Sequence, residues 1–126
     1  MEARIVEDQQ GRRRAEEPCL EPCPIEQGMR IIGGKWTGSI LWHVAQGPVR
    51  FNDLARLVGG ASRKVITERL KHLEQHGLIV RQELPTAPPS VAYSVTELGR
   101  TALESLDALR RWAEALPEGT QQAVED

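Results

Sequence analysis

Apolar side chains recur at three- and four-residue intervals along most of this chain, broken by short polar or glycine-rich stops, a rhythm that predicts helices. Ile25, Met29 and Ile32 follow Pro24 and end at Gly33-Gly34. A first helix therefore opens on the proline, whose missing N–H is harmless in a first turn. A second is expected from about Lys35 to Gln46, burying Trp36, Ile40, Leu41 and Val44, with Gly47-Pro48 as its stop. Val49-Arg50-Phe51 reads as a short extended piece. Asn52 is then expected to cap a short helix, Asp53 to Val58, that turns Leu54, Leu57 and Val58 inward. Gly59-Gly60-Ala61 makes a tight turn, and Ser62 caps a helix from Arg63 to about His76 with Ile66, Leu70 and Leu73 as its apolar stripe. Gly77 closes it in a left-handed conformation.

The period then changes. Leu78 to Leu84 reads as a strand, Pro85 to Ser90 as a proline-rich loop, and Val91, Tyr93 and Val95 alternate on one face of a second strand. Thr96 caps a last helix that reaches Leu116, before Pro117. Its positions Ala102, Leu106, Leu109, Ala113 and Leu116 are spaced 4, 3, 4 and 3, a heptad seam. Residues 1–17 are charged and without periodicity, which predicts a flexible arm. Residues 18–116 form the domain, and residues 117–126 an acidic tail. The expected fold is mostly α with a small β-hairpin wing: a short helix, a glycine turn, a second helix and a hairpin make a winged helix-turn-helix.

Composition narrows the class. The 126 residues are 40% apolar and 27% charged, which suits one soluble globular domain and excludes a wholly disordered chain. The longest apolar stretch, Ile31 to Ala45, is interrupted by Lys35, so no membrane span is expected. The charged first twenty residues lack the apolar core of a signal peptide, and the expected compartment is cytoplasmic. The net charge of −2 hides an asymmetry: residues 24–96 hold nine basic and five acidic side chains, between two acidic flanks. A basic module in an acidic chain points to an anionic partner for that module alone.

The helix after the glycine turn carries that chemistry. With Ile66, Leu70 and Leu73 inward, its outer arc holds Arg63, Lys64, Thr67, Glu68 and Lys71. A DNA major groove about 12 Å wide admits one helix, N-terminal end first. Ser62, Arg63, Lys64 and Thr67 are then nearest the bases, where arginine pairs bidentately with guanine. Arg69 and Lys71 are placed for phosphates. Glu68 either accepts from cytosine or pairs with Lys64 four residues back. A plain solvated helix of mixed charge is the alternative reading of the same residues.

Several blocks in the right order also carry a family resemblance. They are Cys23-Pro24-Ile25-Glu26, Ile32-Gly33-Gly34-Lys35-Trp36-Thr37, Gly47-Pro48-Val49-Arg50-Phe51-Asn52-Asp53-Leu54 and Ser62-Arg63-Lys64-Val65-Ile66-Thr67-Glu68-Arg69-Leu70. Leu73-Glu74, Gly77-Leu78-Ile79, Pro88-Pro89 and Thr96-Glu97-Leu98-Gly99 follow. From Cys23 to Trp112 the chain resembles the HxlR-type winged helix-turn-helix regulators of bacteria. The resemblance implies a homodimeric transcription factor that reads a palindromic operator in double-stranded DNA, with Ser62–His76 as recognition helix and Leu78–Val95 as wing. It also implies dimerisation through the first and last helices. The chain departs from the family at the wing tip, where Ser90 and Ala92 replace a basic residue and a glutamate, leaving Arg81 as the wing's basic candidate.

The seam agrees with a dimer on its own terms. Leu106, Leu109, Trp112, Ala113 and Leu116 need a surface to cover them, and a symmetry mate supplies one isologously. Packing within the same chain is the other reading, and both can hold together. Cys23 starts the first helix, where the positive end of the helix dipole favours thiolate, while Glu21 and Glu26 oppose it. By resemblance Cys23 is the residue through which an oxidant or small electrophile acts, and Cys19 could resolve it. Quiet reduced thiols are the alternative for both. A zinc site from Cys19, Cys23, His72 and His76 would require the recognition helix to meet the N-terminal segment, so no metal or other cofactor is expected. No catalytic block accompanies Cys23, which argues against an enzyme. A winged-helix module that binds proteins instead of DNA is the remaining rival.

Overall fold

The expected helices form with ends displaced by a few residues. The computed structural model describes residues 4–17 and 21–120. Its elements are β1 (Arg4–Glu7), β2 (Arg13–Glu17), α1 (Pro24–Ile32), α2 (Thr37–Val44), β3 (Val49–Arg50), α3 (Phe51–Leu57), α4 (Arg63–Gln75), β4 (Ile79–Leu84), β5 (Ser90–Val95) and α5 (Glu97–Glu114). Among the described residues no helix is long and apolar enough to cross a membrane.

The core is the meeting of α2, α3, α4 and the base of the wing. Ile40, Leu41 and Val44 of α2, Leu54 of α3, and Ile66, Leu70 and Leu73 of α4 are all at most 1% exposed, and Ile79 and Leu106 join the same cluster. Burying each such side chain contributes about 1.5–3 kcal/mol, so this cluster outweighs any surface pair in holding α4 in place. Two predicted caps are made: Ser62 Oγ accepts from Val65 N at 3.1 Å and Thr96 Oγ1 from Gly99 N at 3.1 Å. Gly77 has φ +78°.

Four details differ from the sequence expectation. First, α2 begins at Thr37, because Trp36 takes φ +71° and ends the preceding turn outside the helix. Its indole is half-buried against Gly60, where an added Cβ would lie 2.6 Å from Cη2. Second, α3 begins at Phe51 after Arg50, so Asn52 is not a cap, and Leu57 is 54% exposed instead of inward. Third, the wing is part of a three-stranded antiparallel sheet of order β3-β5-β4. Val49 pairs with Tyr93 and Arg50 with Ala92, while β4 runs from Ile79 opposite Val95 to Leu84 opposite Ser90. A central strand is covered at both edges, and Ala92, off the expected apolar face, is the most buried residue of β5. The extended piece expected at Val49-Arg50-Phe51 thus supplies two residues to the sheet while Phe51 opens α3, and which strand it pairs with is not legible from so short a run.

Fourth, the segment expected to lack structure contains a hairpin, with Arg4–Glu7 antiparallel to Arg13–Glu17. Its turn is built by Asp8, whose carboxylate accepts from the backbone N–H of Gln10 and Arg12 and from Arg12 Nε at 2.8–2.9 Å. The Arg12 backbone bond is the main reason that the Asp8 carboxyl sits below the usual carboxylate range. A side-chain-organised turn needs no apolar periodicity, which is why the pattern missed it.

Gly99 shows how closely α5 is pressed onto the wing. A Cβ there would overlap the carbonyl oxygen of Leu78 and lie 2.6 Å from Val95 Cγ2. Gly99→Ala is expected to destabilise the fold by about 1–3 kcal/mol through overpacking, read from urea unfolding at constant m-value. An unchanged midpoint would show that α5 can lift from β4 without cost.

Candidate nucleic-acid interface

The face of α4 opposite its buried stripe is open. Arg63, Lys64, Thr67, Glu68 and Lys71 are exposed, as is Ser62 at the N-cap. A 3.6-residue period places the buried and exposed sets on opposite sides of one helix, so packing of the apolar side presents the cationic side to solvent.

The exposed side chains are not equally available. Arg63 Nη2 donates to Asn52 Oδ1 at 2.9 Å, and its guanidinium lies 4.7 Å above the Phe51 ring. It is thus drawn sideways onto α3. Thr67 Oγ1 donates to the Arg63 carbonyl at 2.8 Å, so its hydroxyl proton is used within the helix and its methyl and lone pairs are what it can offer outward. Lys64 and Lys71 extend from the surface. Glu68 lies 4.0 Å from Arg69 Nη1, which makes that arginine its charged neighbour instead of the expected Lys64.

Arg69 departs from the expected phosphate-facing position. Its Nε donates to the Lys35 carbonyl at 2.9 Å, and its side chain is only 31% exposed. It ties α4 to the turn before α2. His72 acts alongside it, with Nε2 2.9 Å from the Ile31 carbonyl. That bond assigns His72 to the contact with α1, and the His76 ring leans on it at 4.4 Å. On the wing, Arg81 faces across to Tyr93 and its Nη1 lies 4.0 Å from Glu83 Oε1, so the one basic wing candidate has an acidic neighbour. Sequence reasoning missed Phe51 and Asn52 as partners of Arg63. They lie eleven or twelve positions away, and only the crossing of α3 and α4 brings them together.

The remaining candidates lie away from this face. Cys23 is the half-buried N-cap of α1, and its carbonyl accepts from Gln27 N at 2.9 Å. Beside it, Glu21 pairs with Arg30 at 2.7 Å, which offsets one of the two carboxylates opposing a thiolate there. Cys19 lies outside the described residues. The expected seam divides: Leu106 is 8% exposed inside the chain's own core, whereas Leu109 and Trp112 are 53% and 63% exposed. Ala113 and Leu116 are intermediate. Leu106 is thus a core residue and not part of the free face. On the polar side of α5, Arg110 hydrogen-bonds Asp107 at 2.7 Å and thereby holds that carboxyl below its ordinary range.

Comparison with known proteins gives this geometry a family. The HxlR-like helix-turn-helix family matches residues 31–121. The uncharacterized HTH-type transcriptional regulator YdeP of Bacillus subtilis is 39% identical over 95 residues, covering 75% of this chain and 74% of YdeP. The redox regulator HypR in its oxidized form superposes with a TM-score of 0.71 at 34% identity, covering 76% of this chain and 99% of that one. The reduced form of the transcriptional regulator YodB from B. subtilis superposes with a TM-score of 0.67 at 34% identity, over 76% and 95% of the two chains. With its helix-turn-helix, wing and outward cationic helix, the chain belongs to the HxlR-like helix-turn-helix family and is a DNA-binding transcriptional regulator of the winged-helix type.

Proposed function

We propose that this regulator works in the cytoplasm as a homodimer that reads a palindromic duplex with one α4 from each protomer, and that Cys23 links binding to a small oxidant or electrophile. The working unit is residues 18–116. The observation that carries the reading is the two-sidedness of α4: Ile66, Leu70 and Leu73 are at most 1% exposed while Lys64, Thr67 and Lys71 stand in solvent. A helix held this way has one face for a groove and no freedom to turn it away.

The dimer is supported by α1 and the far half of α5. Only the last residues of α1, Ile31 and Ile32, pack against the chain's own core, while Ile25 and Met29 are 74% and 53% exposed. With Leu109 and Trp112 they form apolar surface at both ends of the chain, of the kind that an isologous contact covers. Two such protomers reach adjacent major grooves when their α4 helices stand about 34 Å apart. The thiol role is supported by the position of Cys23 at a helix N-terminus and by the likeness to HypR, a redox regulator.

Four measurements test these parts separately. Lys64→Ala is expected to lower affinity for a duplex selected by the wild-type protein by about 1–3 kcal/mol in fluorescence anisotropy. Binding by the wild type that ignores salt would remove the DNA reading and favour a protein-binding module, since phosphate contacts release counterions. Leu109→Asp combined with Trp112→Asp is expected to give monomers in sedimentation, without the core damage that a change at Leu106 would bring; a persisting dimer places the interface elsewhere. Diamide is expected to alter DNA affinity in the wild type and not in Cys23→Ser, and an equal response from both proteins removes the thiol from the mechanism.

A further inference from the structure

Beside the recognition helix, the foot of α3 and the start of β5 border an open concavity of about 460 Å³ lined by Arg50, Asn52, Asp53, Arg56, Arg63 and Ser90, with Phe51 at its side. We infer that this notch seats a backbone phosphodiester of the bound duplex and that Arg63 belongs to it, together with Arg50 and Arg56, instead of reading a base. The inference rests on the DNA-binding reading above and assigns its residues differently.

Arg63 is the fixed point of the notch. A guanidinium that reads guanine must extend along the groove with both terminal nitrogens on the base edge. Here Nη2 is engaged by Asn52 Oδ1 at 2.9 Å and the flat face lies 4.7 Å over Phe51. The Phe51 ring is itself packed against the hydrophobic core, so this platform does not move with the surface. Arginine has five N–H donors, and one bond to Asn52 leaves the others for an anion. The group is thus anchored at the side of α4, where the flanking backbone of a groove-bound duplex would run.

Charge and donors in the notch agree with a phosphodiester. Three guanidiniums face one carboxylate, Asp53, whose Oδ1 is 3.7 Å from Arg56 Nη1 with both side chains well exposed. Such an exposed pair is weak and leaves Arg56 able to turn to a phosphate. Thr86 Oγ1 donates its only proton to the Pro88 carbonyl at 2.7 Å. The 3.0 Å contact between Thr86 and Ser90 hydroxyls must then use the Ser90 proton. Ser90 offers the notch only lone pairs, and the charged side-chain donors for an anion are the arginines, with the Asn52 amide nitrogen as a neutral donor beside them. A wing tip without a basic residue thereby borrows its charge from β3, α3 and α4. Base reading is left to Lys64 and Thr67, the outward residues of the first turns of α4.

The two roles separate in one experiment. A labelled duplex is selected by the full-length wild-type protein from a random pool, and a scrambled duplex of equal length serves as the non-specific probe. Arg50→Ala, Arg56→Ala and Arg63→Ala are each expected to weaken binding to both duplexes by a similar factor, about tenfold for a charged hydrogen bond. Each is also expected to reduce the slope of log affinity against log salt by about one. Arg63→Lys, which keeps the charge, is expected to restore most of the slope; if the alanine variant misfolds, this variant carries the test. Loss of affinity for the selected duplex alone would show Arg63 to be a base reader and overturn the assignment. Unchanged salt slopes in all three variants would empty the notch. If the wild type selects no duplex, the DNA reading itself fails, a result distinct from either.

Discussion

The fit of one helix into another decides how this protein can act. Ile66, Leu70 and Leu73 of α4 pack with Ile40, Leu41 and Val44 of α2, and all six are essentially without solvent contact. Rotating α4 by a quarter turn would expose part of that stripe and bring charged side chains towards the core, at a cost of several kcal/mol. The cationic arc therefore points outward as a consequence of core packing.

Two polar tethers add direction to that fit. Arg69 reaches the Lys35 carbonyl and His72 the Ile31 carbonyl, so the last turn of α1 and the turn before α2 are both bonded to α4. Each bond contributes about 1 kcal/mol, somewhat more from the charged arginine. They lie on the path between the apolar face of α1 and the face of α4. The two bonds thus fix α4 against the α1–α2 segment, and one of the residues making them, Arg69, is one that a charge count assigns to the DNA.

The last helix shows why a repeat pattern is not an interface. Its seam is continuous in sequence, but its first half lies over the wing, where Gly99 touches the Leu78 carbonyl and Leu106 enters the core. Its second half runs past the end of the core, leaving Leu109 and Trp112 uncovered. A single heptad pattern thereby serves two surfaces, and the boundary between them falls where the globule ends.

Helices α1, α4 and α5, the caps Ser62 and Thr96, the left-handed Gly77 and the order of elements in the winged helix-turn-helix were legible from the chain alone. Local propensity and apolar period decide such features, and both act over a few residues. The pairing of the short Val49-Arg50 piece with β5, the exposure of Leu57 and the hairpin organised by Asp8 were not, since strand partnership, the edge of a short helix and a side-chain-built turn leave no periodic trace. The candidate site divides in the same way. That Arg63, Lys64, Thr67 and Lys71 share an outward face follows from 3.6 residues per turn. That Arg63 leans on Phe51 and Asn52 while Arg69 turns back to Lys35 depends on where α3 and the α1–α2 turn pass α4. Contacts between segments distant in sequence depend on tertiary packing, and only the folded chain specifies it.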